Sequence, residues 1–135
     1  MKRKVLCVTL VLIICLLAAM PTFAVTKPND EVKNASGFCS LNHSGRSVTI
    51  YGSAISLNEE ETIRVTLYLS ELQDDGNWHP VRMVSRTAHN ATEVELSSTF
   101  FVSGGHYYKL KGIYYTNTNG IAHTYSSDTS NVWIG

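Results

Sequence analysis

From residue 36 onward, apolar and polar positions alternate with a period of two. Ile63, Val65, Leu67 and Leu69 alternate with Arg64, Thr66, Tyr68 and Ser70, as in a strand with one buried face. Val48, Ile50, Gly52 and Ala54 repeat the pattern. Ile55 and Leu57 then fall on the opposite phase, which predicts a bulge near Gly52-Ser53. Val94 and Leu96 alternate with Glu93 and Glu95. Tyr108, Leu110, Gly112 and Tyr114 alternate with Lys109, Lys111 and Ile113. Lysines favour water, so Tyr108 and Leu110 are expected to point inward. No helical period competes with these runs.

Turn signals fall between them. Ser44-Gly45 separates the first two runs, Asn58-Glu59-Glu60-Glu61 reads as a charged loop, and His89-Asn90-Ala91 is a further break. Asp74-Asp75-Gly76-Asn77 and Asn117-Thr118-Asn119-Gly120 carry the residues that tolerate the positive φ of tight hairpins. Gly104-Gly105 precedes the tyrosine-rich run. Strands are expected at 36–43, 47–57, 62–72, 78–87, 92–101, 106–116 and 121–134. Seven strands at this spacing predict an all-β fold, a seven-stranded antiparallel β-sandwich, with a small closed barrel as the alternative.

The start of the chain is of another kind. Lys2, Arg3 and Lys4 precede an uncharged run over 5–20 that ends at Pro21, and Thr22-Phe23-Ala24 offers small residues for cleavage after Ala24. This is the layout of a secretory signal peptide, a helix over 1–24. The apolar run is shorter than the roughly 20 residues of a spanning helix, so cleavage is expected, with contact with a membrane only before it; the alternative is an uncleaved membrane anchor. Residues 25–35 read as a flexible leader, and 36–135 as one domain. The whole chain has 11 basic and 11 acidic residues; without 1–24 it has eight and 11, a net charge of −3. That balance excludes a general nucleic-acid binder held by phosphate contacts. Cys7 and Cys15 lie in the signal segment, so Cys39 is left without an internal partner. It is expected as a small buried residue, the alternative being an exposed thiol that pairs between chains.

Gly76-Asn77-Trp78-His79-Pro80-Val81 and Gly104-Gly105-His106-Tyr107-Tyr108-Lys109-Leu110-Lys111-Gly112 carry a resemblance. Together with the signal segment, they resemble a group of small secreted proteins of Gram-positive, mainly clostridial, bacteria. The group shows a Leu-Gln-x-x-x-Gly-x-Trp-x-x-Val hairpin; here Leu72-Gln73 stands one residue closer to Trp78 and Val81. The likeness spans nearly the whole chain and implies export and a β-rich fold, but no activity. The same residues resemble fibronectin type III and bacterial immunoglobulin-like modules. In those, a tyrosine near the start of the sixth strand hydrogen-bonds back across a corner. Tyr108 matches that position, and Trp78 would pack its indole over the inter-sheet core.

Candidate chemistry is sparse. His43, His79, His89, His106 and His123 show no close ligand spacing, so neither metal nor cofactor is expected. No nucleophile-elbow motif accompanies the serines. Asn34, Asn42 and Asn90 head Asn-x-Ser/Thr triplets that the composition explains. The functional hint lies in the aromatics. Tyr107 and Tyr115 share a face with Lys109 and Lys111, and Tyr68 and Tyr125 join them if strand pairing allows. Such a strip can stack sugars or dock a protein; it can equally be cross-strand pairing that stabilises a solvated sheet.

The expectation is therefore a secreted, non-enzymatic β-sandwich that binds a cell-wall glycan, a host surface or a secreted protein. A secreted antimicrobial or membrane-active protein and a small secreted hydrolase are the alternatives. The net charge disfavours the first, and the missing motifs disfavour the second.

Overall fold

Alternating residues in 35–135 form eight strands. They are β1 (Ala35–Ser44), β2 (Ser47–Glu60), β3 (Thr62–Leu72), β4 (Trp78–Ala88), β5 (Ala91–Phe101), β6 (His106–Thr118), β7 (Ile121–Asp128) and β8 (Val132–Ile134). The computed structural model describes residues 35–135. The expected signal peptide, its expected cleavage after Ala24 and the expected leader up to residue 34 lie outside the described residues; Ala35 already opens β1.

The strands make two antiparallel sheets, one ordered β1-β2-β5 and one β4-β3-β6-β7, with β8 also paired to β6. The inward residues of both form one core, in which Val48, Ile50, Ile63, Val65, Leu67, Leu69, Tyr108, Leu110 and Ile134 are fully buried. This is a β-sandwich of eight strands, where seven were expected. Thr129 lies between β7 and β8, its amide donating to the Leu110 carbonyl and its hydroxyl accepting from the Leu110 amide. It splits the expected strand 121–134 in two.

Three further expectations change. Pairing of β2 runs unbroken through Gly52 and Ser53, and its register shifts only between Ile55 and Glu60. Ile55 and Leu57 keep the phase of the strand and are exposed to solvent. Residues 58–60 continue β2 rather than forming a loop, with Asn58 and Glu59 exposed as expected and Glu60 turned inward. The Glu60 carboxylate is buried and accepts from Ser56 Oγ at 2.7 Å and Thr118 Oγ1 at 2.6 Å. Two hydroxyl donors offset its loss of water. Cys39 is half-buried beside the core rather than enclosed by it, with Sγ 3.3 Å from Ser127 Oγ.

The β6–β7 hairpin turns on Asn119 (φ 53°) and Gly120 (φ 76°), the left-handed pair that suits the twist of a two-residue hairpin. Elsewhere glycine matters for space. The Tyr114 ring lies against Gly37 of β1 and Gly112 of its own strand: a Cβ on Gly37 would sit 2.2 Å from the ring, and one on Gly112 would sit 2.1 Å from the hydroxyl. The hydroxyl meets Ser127 Oγ at 2.6 Å. A large aromatic thus bridges the two sheets because two neighbours have no side chain.

Gly37→Ala should therefore lower the unfolding free energy by about 1–3 kcal/mol, the usual cost of overpacking, as read from urea unfolding. Adding Tyr114→Leu to that variant should recover part of the loss. No recovery would mean that Gly37 matters for some reason other than the Tyr114 ring.

Candidate functional site

The outer face of the five-stranded sheet takes the residues that alternate with the core. Register places Trp78 opposite Leu72, Tyr107 opposite Trp133, Met83 opposite Tyr68, and Arg64 opposite Tyr115. Tyr107 is 45% exposed and Trp133 52%, and their rings meet edge to face with centroids 5.0 Å apart. Trp78 is half-buried on the same face, with Lys109 Nζ 4.4 Å from its ring centroid. With strands about 4.8 Å apart, Trp78, Leu72, Tyr107 and Trp133 form a row across four strands at one end of the sheet.

Both tryptophans reach this face through a bulge. Leu69 pairs with Arg82 but Ser70 pairs with Pro80, so β4 has one extra residue, Val81. Without it, the phase set by Arg82 and Val84 would turn Trp78 toward the core. Likewise Lys111 pairs with Asp128 but Tyr108 pairs with Val132, so three residues (129–131) face two on β6. That extra residue turns Ile134 inward and Trp133 outward. One inserted residue reverses every side chain beyond it. The expectation that Trp78 covers the inter-sheet core is corrected accordingly. Trp133 was missing from the expected face because strict alternation along 121–134 hides the reversal.

The four tyrosines expected on one face do not all gather there. Tyr68, Tyr107 and Tyr115 share it, but Tyr125 pairs with buried Tyr114 and so lies on the core side, packed against the core. Tyr107 and Tyr115 are eight residues apart on β6, about 27 Å along an extended strand, and cannot meet one small ligand. Tyr115 is also engaged: Arg64 stands 5.4 Å over its ring, and Asn117 Nδ2 donates to its hydroxyl at 3.0 Å. The accessible site is the Tyr107–Trp133 end.

A buried polar cluster supports that end from below. Tyr108 is fully buried, and its hydroxyl lies 2.7 Å from the Ser103 carbonyl and 2.5 Å from Glu71 Oε2. Gln73 Nε2 donates to Glu71 Oε1 at 2.7 Å, and His106 Nδ1 stands 3.6 Å from the same oxygen. Burial, then the Glu71 carboxylate, pushes the Tyr108 phenol well above its ordinary value. Burial does the same to Tyr114. In the adjacent turn, the Asn77 amide and then His79 hold Asp75 below the ordinary carboxylate range.

The histidines are engaged locally. His43 meets the Gly45 carbonyl, His79 meets Asp75, His89 meets the Glu61 carbonyl, and His123 stacks on Tyr125. Among the described residues, no three His, Cys, Asp or Glu side chains converge on a point that could hold a metal ion.

No family model matches the chain, and no curated protein matches it. Among solved structures the chain is similar to the solution structure of R. palustris CsgH, at 14% identity and a TM-score of 0.40, over 70% of this chain and 91% of that one.

The two buried phenols set an alkaline limit. Unfolded tyrosines ionise near pH 10.0, and the folded values of Tyr108 and Tyr114 are raised. Their stabilising contribution is complete below that pH and is lost as pH rises through the folded values. In a near-ultraviolet titration, two of the seven tyrosines should ionise only as the protein unfolds. Reversible ionisation of all seven in the folded state would contradict the burial of this cluster.

Proposed function

We propose that this protein is an exported, non-enzymatic β-sandwich module that captures a ligand outside the cell on the outer face of its five-stranded sheet. Export rests on the basic start, apolar run and small residues before Ala24, as in the small secreted proteins of Gram-positive bacteria that the chain resembles. An immunoglobulin or fibronectin III-like character is supported by the strand order β1-β2-β5 against β4-β3-β6-β7. It is also supported by the Tyr108 hydroxyl, which bonds back to the carbonyl of Ser103 five residues upstream.

The observation that carries the binding role is the exposed Tyr107–Trp133 pair, in one row with Trp78. Large aromatics held rigidly on a sheet and left open to solvent provide contact area at little entropic cost. The ligand is a cell-wall glycan, a host surface or a secreted protein.

A pelleting assay with purified cell walls and insoluble polysaccharides tests this. The protein should pellet selectively, and Tyr107→Ala combined with Trp133→Ala should weaken retention by about tenfold or more. Tyr115→Ala, at the far end of β6, should leave it unchanged. Undiminished retention of the double variant would overturn the assignment, and no retention on walls or polysaccharides would exclude a glycan ligand.

A further inference from the structure

The chain carries as many basic as acidic residues, yet the two outer faces of the sandwich differ in sign. Arg64, Lys109 and Lys111 alternate with the core residues of β3 and β6 and so share the aromatic face. Asp128, opposite Lys111 at the sheet edge, is the acid in register with them. The outer face of the other sheet holds Glu93 and Glu95 and no lysine or arginine, since Glu93 pairs with Ile55 and Glu95 with Ser53. Among the described residues the ion pairs are those of His79 and His106. Among the described residues, none of the three cations has a carboxylate within ion-pair distance, Asp128 included. Lys109 rests on Trp78 and Arg64 on Tyr115, with Arg64 Nε donating to Thr87 Oγ1 at 3.0 Å. Aromatic rings thus hold these charges in place without neutralising them.

Spacing narrows the ligand. Tyr107, Lys109 and Lys111 follow one another on the same face of β6 at steps of about 7 Å. A ring-stacking site is thus followed directly by two cations, and Arg64 continues the strip toward the far end. We infer that the ligand is a polysaccharide built of carboxylated sugars, with a sugar ring packed on Tyr107 and Trp133 and carboxylates on Lys109 and Lys111. This rests on the binding role proposed above and adds the chemistry of the ligand. A polyuronate offers a ring face and a carboxylate in every unit, so one unit can stack on the aromatic pair while the carboxylates of the following units reach the two lysines of β6. An acidic peptide would satisfy the cations and leave the aromatic pair unused; a neutral glycan would do the reverse.

Titration calorimetry with three probes tests this: polygalacturonate, fully methyl-esterified polygalacturonate, which keeps the rings and loses the charge, and polyglutamate, which keeps the charge and loses the rings. Polygalacturonate should bind at least about tenfold tighter than either, the scale of one charge-assisted contact, and its binding should weaken as salt is raised. Lys109→Gln should cost about tenfold on polygalacturonate and nothing on the ester, while Lys109→Arg should retain binding. Thermal unfolding checks that each variant folds. If Lys109→Gln does not, Lys111→Gln carries the same test without touching Trp78. Equal binding of the ester, or equal binding of polyglutamate, would overturn the carboxylated-sugar assignment. So would no binding of polygalacturonate. In each case the broader binding role survives if retention on walls still depends on Tyr107 and Trp133, and fails with it if that dependence is absent.

Discussion

One extra residue in each of two flanking strands determines what this protein shows to solvent. Val81 in β4 and the three-against-two stretch at 129–131 each reverse the phase of a strand near its end. Without them Trp78 and Trp133 would turn toward a core that is already filled. Bulges are tolerated at sheet edges because an edge strand has one neighbour to satisfy rather than two. Both of these lie in strands paired on one side only, β4 with β3 and the β7–β8 pair with β6. The bulge at 129 leaves no backbone cost at Leu110, because Thr129 supplies both the donor and the acceptor its main chain needs.

The central strand joins face and core. Along β6, Tyr108, Leu110 and Tyr114 are buried while Tyr107, Lys109 and Lys111 line the outer surface. The strand cannot slip by one residue without burying two lysines. The Tyr108 hydroxyl, held between Ser103 and Glu71, pins one end, and the Tyr114 ring, seated on Gly37 and Gly112, pins the other. Rigidity at the Tyr107 end therefore comes from the residue beside it in sequence, which points the opposite way. That arrangement lets a bare pair of aromatics keep one geometry in water.

Much of this was legible in the chain. Alternation located the strands to within a few residues, and the lysines at 109 and 111 gave the phase of β6. Reading failed where pairing, not pattern, decides. Tyr125 looks like a surface residue until its register with Tyr114 is known. Trp78 looks like a core residue until Val81 is recognised as an insertion. Glu60 reads as one of three solvated acids, yet Ser56 and Thr118, the latter distant in sequence, close over it. Ile55 and Leu57 suggest a bulge at Gly52 because apolar side chains are expected inward, yet both stand exposed on an unbroken strand. Bulges leave little trace in composition, and both tryptophans depend on one.

Under the proposed binding role, those two indoles aim outward into the surface that a ligand would cover. Trp78 and Trp133 are the two tryptophans of the chain, so tryptophan fluorescence reports on this face alone. Acrylamide quenching of the free protein and of the protein saturated with the wall material that retains it is the most direct test. The free protein should be quenched efficiently and the complex clearly protected. Quenching that is unchanged by the bound ligand would place recognition elsewhere on the molecule and contradict the account.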